Sequence, residues 1–185
     1  MDKGAECYIR FLNGDDNGIV EIIKNYKDGL ILYLNSITSD MHLAEEATEE
    51  SFFKLVVKKP KYNGKASFKT WLYTIARNTA YDYLKKHSKR GQLSTDELYS
   101  RLKDEENLEA SYIKNENRIT VHKALNKLNP SHRQALWLQY FENFSTKECA
   151  DIMGKTPHSV ESLTYRAKAA LKKILESEGL AYEEL

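Results

Sequence analysis

Cations and aromatic rings alternate along residues 62–90, a composition suited to binding unpaired nucleic acid. A base that leaves a duplex gains about 1–3 kcal/mol by stacking on an aromatic side chain, while Lys and Arg pair with phosphates. Phe68 and Trp71 lie on the apolar stripe of the segment and are expected in the core, and Tyr73 and Arg77 are expected on the opposite, exposed face. The candidate contacts are Asn63, Lys65, Ser67, Tyr73, Arg77, Asn78, Tyr81, Lys85, Lys86, Lys89 and Arg90.

A second candidate site lies near the C-terminus, where Ala150, Gly154 and Val160 have helix-turn-helix spacing. Such a motif needs a small residue where two helices cross, a turn residue and an aliphatic anchor on the second helix. The start of that second helix enters the major groove and meets base edges. An ordinary helical hairpin that packs on another element is the alternative. The candidate contacts are His158, Ser159, Glu161, Ser162, Tyr165, Arg166 and Lys168.

A third candidate surface combines acids with an aromatic residue. If Ala44, Ser51 and Leu55 face inward, one outer face of the helix at 40–58 presents an acidic patch of Glu46, Glu49, Glu50 and Phe53. A ring within an acidic surface suits a basic protein helix. A plain solvated face is the alternative.

Enzyme signatures are absent from the sequence. It contains no HExxH and no Gly-x-Ser-x-Gly, and 64–67 lacks the glycine and Ser/Thr pattern of a phosphate-binding loop. Cys7 and Cys149 stand far apart, which argues against a zinc site and favours a reducing compartment. We therefore expect a protein that is not an enzyme and has no metal and no cofactor.

The total charge conceals strongly charged segments. The 185 residues carry a formal charge of only +1, but residues 54–90 hold 11 Lys and Arg against one Asp, and residues 118–175 hold 10 against 4 acids. The other segments, 1–53, 91–117 and 176–185, are acidic. Two basic blocks of this density indicate polyphosphate binding. No apolar run is long enough to span a bilayer and the N-terminus has no secretory-signal pattern, so a cytoplasmic location is expected.

The elements that must position these residues are helices. Apolar residues recur at helical spacing and no segment alternates as a strand does, which predicts an all-α fold. The predicted helices span about 15–37, 40–58, 67–87, 130–141, 145–153 and 157–175.

The helical pattern is lost after residue 90, where an acidic tract begins. We predict two small helical domains, 1–90 and 118–185, joined by a flexible acidic linker at 91–117, the second being a helix-turn-helix DNA-binding domain.

Three stretches in this order resemble bacterial RNA polymerase sigma factors of the extracytoplasmic-function group. They are the acidic run at 44–55, the run 68–78 with its Thr-Trp-Leu-Tyr-x-Ile-Ala-x-Asn pattern, and the helix-turn-helix at 145–175. The resemblance covers nearly the whole chain. The 68–78 pattern is specific to the family, whereas many regulators share a helix-turn-helix.

The resemblance implies a transcription initiation factor that binds core RNA polymerase and promoter DNA. The acidic patch would dock on the clamp coiled coil of the largest polymerase subunit, and the second domain would meet the flap region. Residues 62–90 would read and melt the minus-ten element, with Asn78 on the strand and the 63–67 loop holding a flipped-out base. The helix at 157–175 would read the minus-thirty-five element. An anti-sigma factor, commonly membrane-bound in this group, would be a further partner.

Two positions depart from the family pattern. Glu49 stands where glutamine is frequent, and Glu161 stands where many members have a basic residue. A carboxylate would accept a hydrogen bond from a cytosine N4 amino group. A family preference at the minus-thirty-five element therefore does not transfer to this chain.

Two other functions compete with a sigma factor. A stand-alone helix-turn-helix regulator would bind duplex DNA tightly by itself, usually as a dimer. A helical adaptor would not need its basic residues. For a sigma factor, we expect the acidic segments to weaken DNA binding by the free chain.

Overall fold

A computed structural model describes residues 2–88, 121 and 123–177. Within these ranges the chain forms helices and turns and no β-strand, which confirms the all-α prediction. The predicted linker at 91–117 lies outside the described residues, as do Lys89 and Arg90.

Helix α1 (Lys3–Leu12) is not among the predicted elements. The Asp2 carboxylate caps it by accepting hydrogen bonds from the Gly4 and Ala5 N–H groups at 2.8 and 3.3 Å. Its other oxygen accepts a hydrogen bond from the Phe68 N–H at the start of a later helix. One side chain thus satisfies donors at two helix starts and joins them.

Three longer helices follow, and each begins and ends within two residues of its predicted bounds. They are α2 (Asn17–Thr38), α3 (Met41–Lys58) and α4 (Phe68–Ser88). A left-handed residue, Ser39 with φ 52°, ends α2, and the Asp40 side chain caps α3 through the Leu43 N–H at 2.9 Å. The turn between these helices is therefore fixed by local chemistry.

An aromatic cluster ties the 59–67 segment to α1 and α4. The rings of Tyr8, Tyr62, Phe68 and Trp71 lie 5.2–5.8 Å apart between centroids. The Tyr8 hydroxyl donates to the Pro60 carbonyl at 2.8 Å. Phe68 is fully buried as predicted, while Trp71 is only half-buried at the edge of this cluster.

The C-terminal helices begin with α5 (Pro130–Leu136), which Asn129 caps through the His132 N–H. A π-helical turn (Trp137–Phe141) continues it, and the Glu142 N–H closes that turn on the Trp137 carbonyl at 3.2 Å. The bounds of the predicted helix at 130–141 are thus confirmed. Its last turn is π-helical, and so wider than the α-helical turn that the apolar spacing predicts.

The helix-turn-helix consists of α6 (Thr146–Met153) and α7 (Pro157–Ser177). Ser145 and Glu148 form a capping box at the start of α6, in which each side chain accepts a hydrogen bond from the other residue's backbone N–H. Gly154 is left-handed with φ 63°, and Val160 is fully buried. The motif therefore has the predicted turn and anchor.

The N-terminal and C-terminal helices pack on each other and share one hydrophobic core. Helix α4 packs on α6, and α2 packs on α5. The Arg133 guanidinium donates to the Ser39 hydroxyl, and the Gln134 amide donates to the Tyr81 hydroxyl at 3.0 Å. The two helical groups are therefore in direct contact over the part of the chain that the structure describes.

Candidate nucleic-acid and polymerase interfaces

The acidic patch lies on the outer face of α3. On the inward face of α3, Thr48 and Ser51 are buried. Their hydroxyls donate to backbone carbonyls one turn earlier, at 2.7 and 2.6 Å. These bonds satisfy the two buried hydroxyls, and on the opposite face of the helix Phe53 is 56% exposed. Glu46 and Glu49 are also exposed, and Glu50 is half-buried.

The acidic patch extends towards α4. Burial, followed by the charges of Glu50, Glu46 and Glu49, raises the pKa of Tyr83. Val57, one turn beyond Phe53, is 59% exposed. The surface thus combines apolar side chains with several carboxylates, a composition that a basic amphipathic helix can match.

The loop before α4 borders an open cavity of about 510 Å³. Lys65 and Ser67 line it together with Tyr62, and the opposite wall comes from Asp2 and α1. The Asn63 side chain instead accepts a hydrogen bond from the Lys65 N–H at 3.1 Å and shapes the loop. Of the three predicted loop contacts, Lys65 and Ser67 face the cavity.

Tyr73 is not exposed, so its predicted place on an exposed face is wrong. It is 1% exposed, stacks on Tyr33 at 5.3 Å and meets the Phe144 ring edge-on at 5.0 Å. Its hydroxyl donates to the Glu142 carboxylate at 2.6 Å. Glu142 and Phe144, from the segment between the π-helical turn and α6, cover this residue together with Tyr33 of α2. Helical spacing alone carries no information about such contacts.

Further along α4 the predicted contacts become accessible. Asn78, Lys85 and Lys86 are exposed, and Tyr81 is 40% exposed. Arg77 is half-buried with its guanidinium over the Tyr81 ring at 4.6 Å. The C-terminal half of α4 therefore presents cations and a ring together.

The start of α7 is open to solvent. Its outward residues, which include Tyr165 at 78% exposure, are the predicted base contacts. The exposed ones are His158, Ser159, Glu161, Tyr165 and Arg166. Ser162 is half-buried on the flank of the helix, and Arg166 donates to its carbonyl at 3.2 Å.

Two side chains on α7 have local partners. Lys168 is half-buried with its ammonium 4.7 Å from the centroid of the Tyr140 ring. His158 lies 4.0 Å from the Glu161 carboxylate one turn later, and both are highly exposed. A protonated His158 would pair weakly with that carboxylate at such an exposed position.

Several residues that join α4 to the C-terminal helices are absent from the predicted sites. They are Lys69, Glu142, Phe144 and Glu148, which meet Tyr73 and Thr70 between the two helical groups. The spacing of Ser145 and Glu148 in the sequence is typical of a helix start. The contacts of these residues with Thr70 and Tyr73 depend on tertiary packing.

No group of three potential ligands among His, Cys, Asp and Glu that could hold a metal ion occurs in the described part of the chain. Both cysteines are free and buried, and burial raises the pKa of the Cys149 thiol to about 12. No helix in the described ranges is both long and apolar enough to cross a membrane.

The chain matches two known protein families. The Sigma-70 region 2 family matches residues 22–90, and the Sigma-70 region 4 family matches residues 118–171. The ECF RNA polymerase sigma factor SigM of Bacillus subtilis is 30% identical over 84% of this chain and 94% of its own length. The RNA polymerase sigma-H factor of Pseudomonas aeruginosa is 29% identical over 95% of each chain.

Solved structures show the same fold. CnrH, solved in complex with the cytosolic domain of CnrY, superposes with a TM-score of 0.67 at 18% identity over 95% of this chain and 99% of its own. The sigma factor RpoE of Bartonella quintana, solved with the anti-sigma factor NepR, gives 0.64 at 21% identity over 84% and 95%.

These matches define a sigma-70 type transcription factor with both a region 2 and a region 4. The chain belongs to the extracytoplasmic-function group of RNA polymerase sigma factors. It is thus an initiation factor that directs RNA polymerase to promoters. A stand-alone helix-turn-helix regulator is not favoured, because such a protein has no need for region 2.

Proposed function

We propose that three surfaces of the chain divide the work of promoter recognition. The acidic patch on α3 binds core RNA polymerase, the 62–90 segment binds and helps to melt the minus-ten element, and α7 reads the minus-thirty-five element. This proposal divides the chain into 1–90, a linker at 91–117 and 118–185. The observation that carries it is the open start of α7 in a formed helix-turn-helix, in a chain that also matches region 2.

The acidic patch supports docking on the clamp coiled coil of the largest polymerase subunit. Phe53 is the apolar anchor, and Glu46, Glu49 and Glu50 give the complementary charge for a basic helix. An exposed ring at the centre of a charged surface is the usual composition of an energetic hot spot. The C-terminal domain would contact the flap region.

The cavity beside the 62–67 loop supports a role in holding a flipped-out base. Lys65 supplies a cation for the phosphate and Ser67 a hydroxyl for a base edge. Asn78, Arg77, Tyr81, Lys85 and Lys86 continue along α4 as contacts to the unpaired strand. Stacking and cation contacts of this kind stabilise the separated strand after melting.

The exposed residues at the start of α7 support base readout in the major groove. A Glu161 carboxylate accepts from a cytosine N4 amino group, and a good contact of this type discriminates by about 1–3 kcal/mol. Arg166, Lys172 and Lys173 are exposed and lie further along, where phosphate contacts set the register. The expected minus-thirty-five site therefore contains a cytosine opposite Glu161.

The chain would act by binding alone, with the polymerase supplying the chemistry. It would work in the cytoplasm, where promoters are. An anti-sigma factor, if membrane-bound, would also hold it at the membrane. Support for such a partner comes from the solved relatives, since RpoE is described in complex with the anti-sigma factor NepR.

Reconstituted transcription tests this function. Core RNA polymerase and the chain are combined on a fragmented genomic template, and transcripts are mapped by their 5′ ends. We expect starts at a defined set of promoters with a shared upstream element. Core polymerase without the chain gives the background, and a pattern identical to that background would refute the proposal.

A further inference from the structure

Helix α1 holds both ends of the loop that precedes α4. At one end, the Tyr8 hydroxyl donates to the Pro60 carbonyl at 2.8 Å. At the other end, the Asp2 carboxylate accepts a hydrogen bond from the Phe68 N–H. Residues 61–67 therefore lie between two contacts made by a single helix. That helix precedes residues 22–90, the part of the chain that matches the Sigma-70 region 2 family.

Helix α1 also forms one wall of the cavity beside this loop. Asp2, Ala5 and Ile9 line the cavity, and their spacing of three and four residues places them on one helix face. Loop residues, among them Tyr62 and Ser67, form the rest of the lining. The volume of about 510 Å³ is within the usual range of small-ligand sites. The cavity thus needs α1 as well as the loop.

We propose that α1 is the second half of the pocket for the flipped-out base, in which Ile9 contacts the base and Asp2 accepts a hydrogen bond from its exocyclic amino group. The pocket would then reject thymine, which has no amino group and would place carbonyl oxygens near the carboxylate. This inference rests on the proposed function, because it takes the cavity as the base site. It adds the residues that select the base.

The Asp2 carboxylate has an acceptor position left for a ligand. A carboxylate offers about four lone-pair positions on its two oxygens. Oδ1 accepts from the Gly4 and Ala5 N–H groups at 2.8 and 3.3 Å, and Oδ2 accepts from the Phe68 N–H. These three bonds leave one position on Oδ2. They also hold the carboxylate in place, so it is organised before a base arrives.

Two side chains offer apolar surface to a base in the cavity. The Tyr62 hydroxyl donates to the Ala66 carbonyl at 2.6 Å, and the Tyr62 ring lies 5.2 Å from the Trp71 ring between centroids. These contacts fix the orientation of the Tyr62 ring. Ile9 lines the same cavity from α1 and is 41% exposed. A base that enters would stack on the ring and bury the open part of Ile9.

The α1 wall is fixed relative to the loop. A Cβ added at Gly4 would lie 2.5 Å from the Phe68 ring and 2.6 Å from the Tyr26 hydroxyl, so only glycine fits there. The rings of Tyr8 and Phe68 lie 5.6 Å apart between centroids. Close packing of this kind holds Asp2 beside the first turn of α4. Selective contacts require such a rigid support.

The charges of the cavity suit a nucleotide. Its lining contains one carboxylate, that of Asp2, and one ammonium, that of Lys65. A carboxylate alone would repel the DNA backbone, and Lys65 offsets this by pairing with a phosphate. The cation thus serves the backbone of any sequence, while the carboxylate distinguishes one base from another.

The experiment uses holoenzyme assembled from core RNA polymerase and the full chain, on a template pool with a randomised minus-ten region. Sequencing of the transcribed templates should show one minus-ten position from which the parent chain excludes thymine. Asp2→Asn should raise the frequency of thymine at that position about ten-fold, because an amide can donate to a carbonyl oxygen. Asp2→Asn also disturbs the bond from the Phe68 N–H, so the readout is base frequency, which does not depend on the amount of folded chain.

A second variant tests the apolar contact without touching the cap. Ile9→Ala should slow promoter opening about five-fold, because the 41% of its surface that is still exposed would no longer be buried by a base. Leu12→Ala is the matched control, since Leu12 is also 41% exposed and lies at the other end of α1. Circular dichroism verifies that both variants are folded.

Three results would contradict the account, and they separate its two levels. An unchanged thymine frequency in Asp2→Asn, or an opening rate of Ile9→Ala equal to that of Leu12→Ala, would remove α1 from the pocket. Either result leaves the proposed function intact as long as the parent chain selects a minus-ten element. A parent chain that selects no minus-ten element would refute the proposed function itself.

Discussion

The Tyr73 hydroxyl and the Glu142 carboxylate form a 2.6 Å hydrogen bond that joins α4 to the segment between the π-helical turn and α6. Burial, with the Glu142 charge next, holds the pKa of Tyr73 well above its ordinary value, so the phenol keeps its proton and remains a donor. A residue on the proposed DNA face is thus committed to an internal contact. Substitution of Tyr73 would therefore disturb the fold and could not serve as a test of DNA contact alone.

Tyr73→Ala should destabilise the fold, whereas Asn78→Ala should not. Tyr73 is fully buried between Tyr33 and Phe144, and loss of such a ring costs about 3–5 kcal/mol. Urea unfolding of the two variants measures the difference. Asn78 is exposed, so its variant should unfold like the parent and slow promoter opening by polymerase, as followed by permanganate reactivity of unpaired thymines. Equal opening rates for parent and Asn78→Ala would remove Asn78 from the strand contacts.

Phe53→Ala should weaken binding to core polymerase about thirty-fold or more and leave stability unchanged. The ring is 56% exposed, so its removal costs little in the free chain, while truncation of a central interface ring costs about 2 kcal/mol or more. Val20→Ala on α2 is a matched control, because Val20 is 58% exposed and lies outside the acidic patch. Titration of labelled chain with core polymerase gives both affinities. If both variants lose the same affinity, or neither does, Phe53 is not an anchor.

Gly29→Ala should lower the free energy of unfolding even though alanine favours helices. Alanine is better than glycine in a helix interior by about 1 kcal/mol, but the new methyl group would sit 2.8 Å from the Tyr73 hydroxyl. Asn25→Ala, exposed on the same helix, should show the propensity gain without the clash. Thermal unfolding of both variants compares them. A Gly29→Ala chain more stable than the parent would show that the Tyr73 and Glu142 side chains can shift to admit the methyl group without loss of stability.

Stability should fall in acid through Glu148. Burial acts to raise the pKa of this carboxyl, but hydrogen bonds from Ser145, Thr70 and Ser67 outweigh it and leave the pKa below the ordinary 4.5. A lowered pKa in the folded state means stability that is fully present above the unfolded value and is lost as the pH falls through the folded one. Urea unfolding should therefore separate the parent from Glu148→Gln at about pH 7, and the two should converge as the pH falls below 4.5 and through the lowered pKa of Glu148. A difference in the free energy of unfolding between the two proteins that does not change with pH would show that ionisation of Glu148 is not its cause.

Local chemistry made most of the fold predictable from the sequence. Apolar spacing located α2, α3, α4 and α7, and the Ser145–Glu148 capping box with Gly154 fixed the helix-turn-helix turn. The acidic patch was also predictable, since helical spacing alone places Phe53 outward.

What could not be predicted depends on contacts between distant residues. Tyr73 follows the rule for an exposed position on α4 and is buried because Tyr33, Phe144 and Glu142 pack around it. Helix α1 carries local signals, the Asp2 cap and the buried Tyr8 and Phe11 at helical spacing, so it was predictable in principle. Only the bond from the Phe68 N–H to Asp2 lies beyond any local pattern.

Promoter selection tests the central claim most directly. Core polymerase and the chain are given a template pool with randomised upstream sequence, and the templates that yield transcripts are sequenced. We expect two enriched elements, with Glu161→Ala relaxing one base position in the upstream element and Asn78→Ala affecting the downstream one. Transcripts without enrichment of any element, or enrichment that neither variant alters, would contradict the assignment of α7 and α4 as the promoter-reading helices.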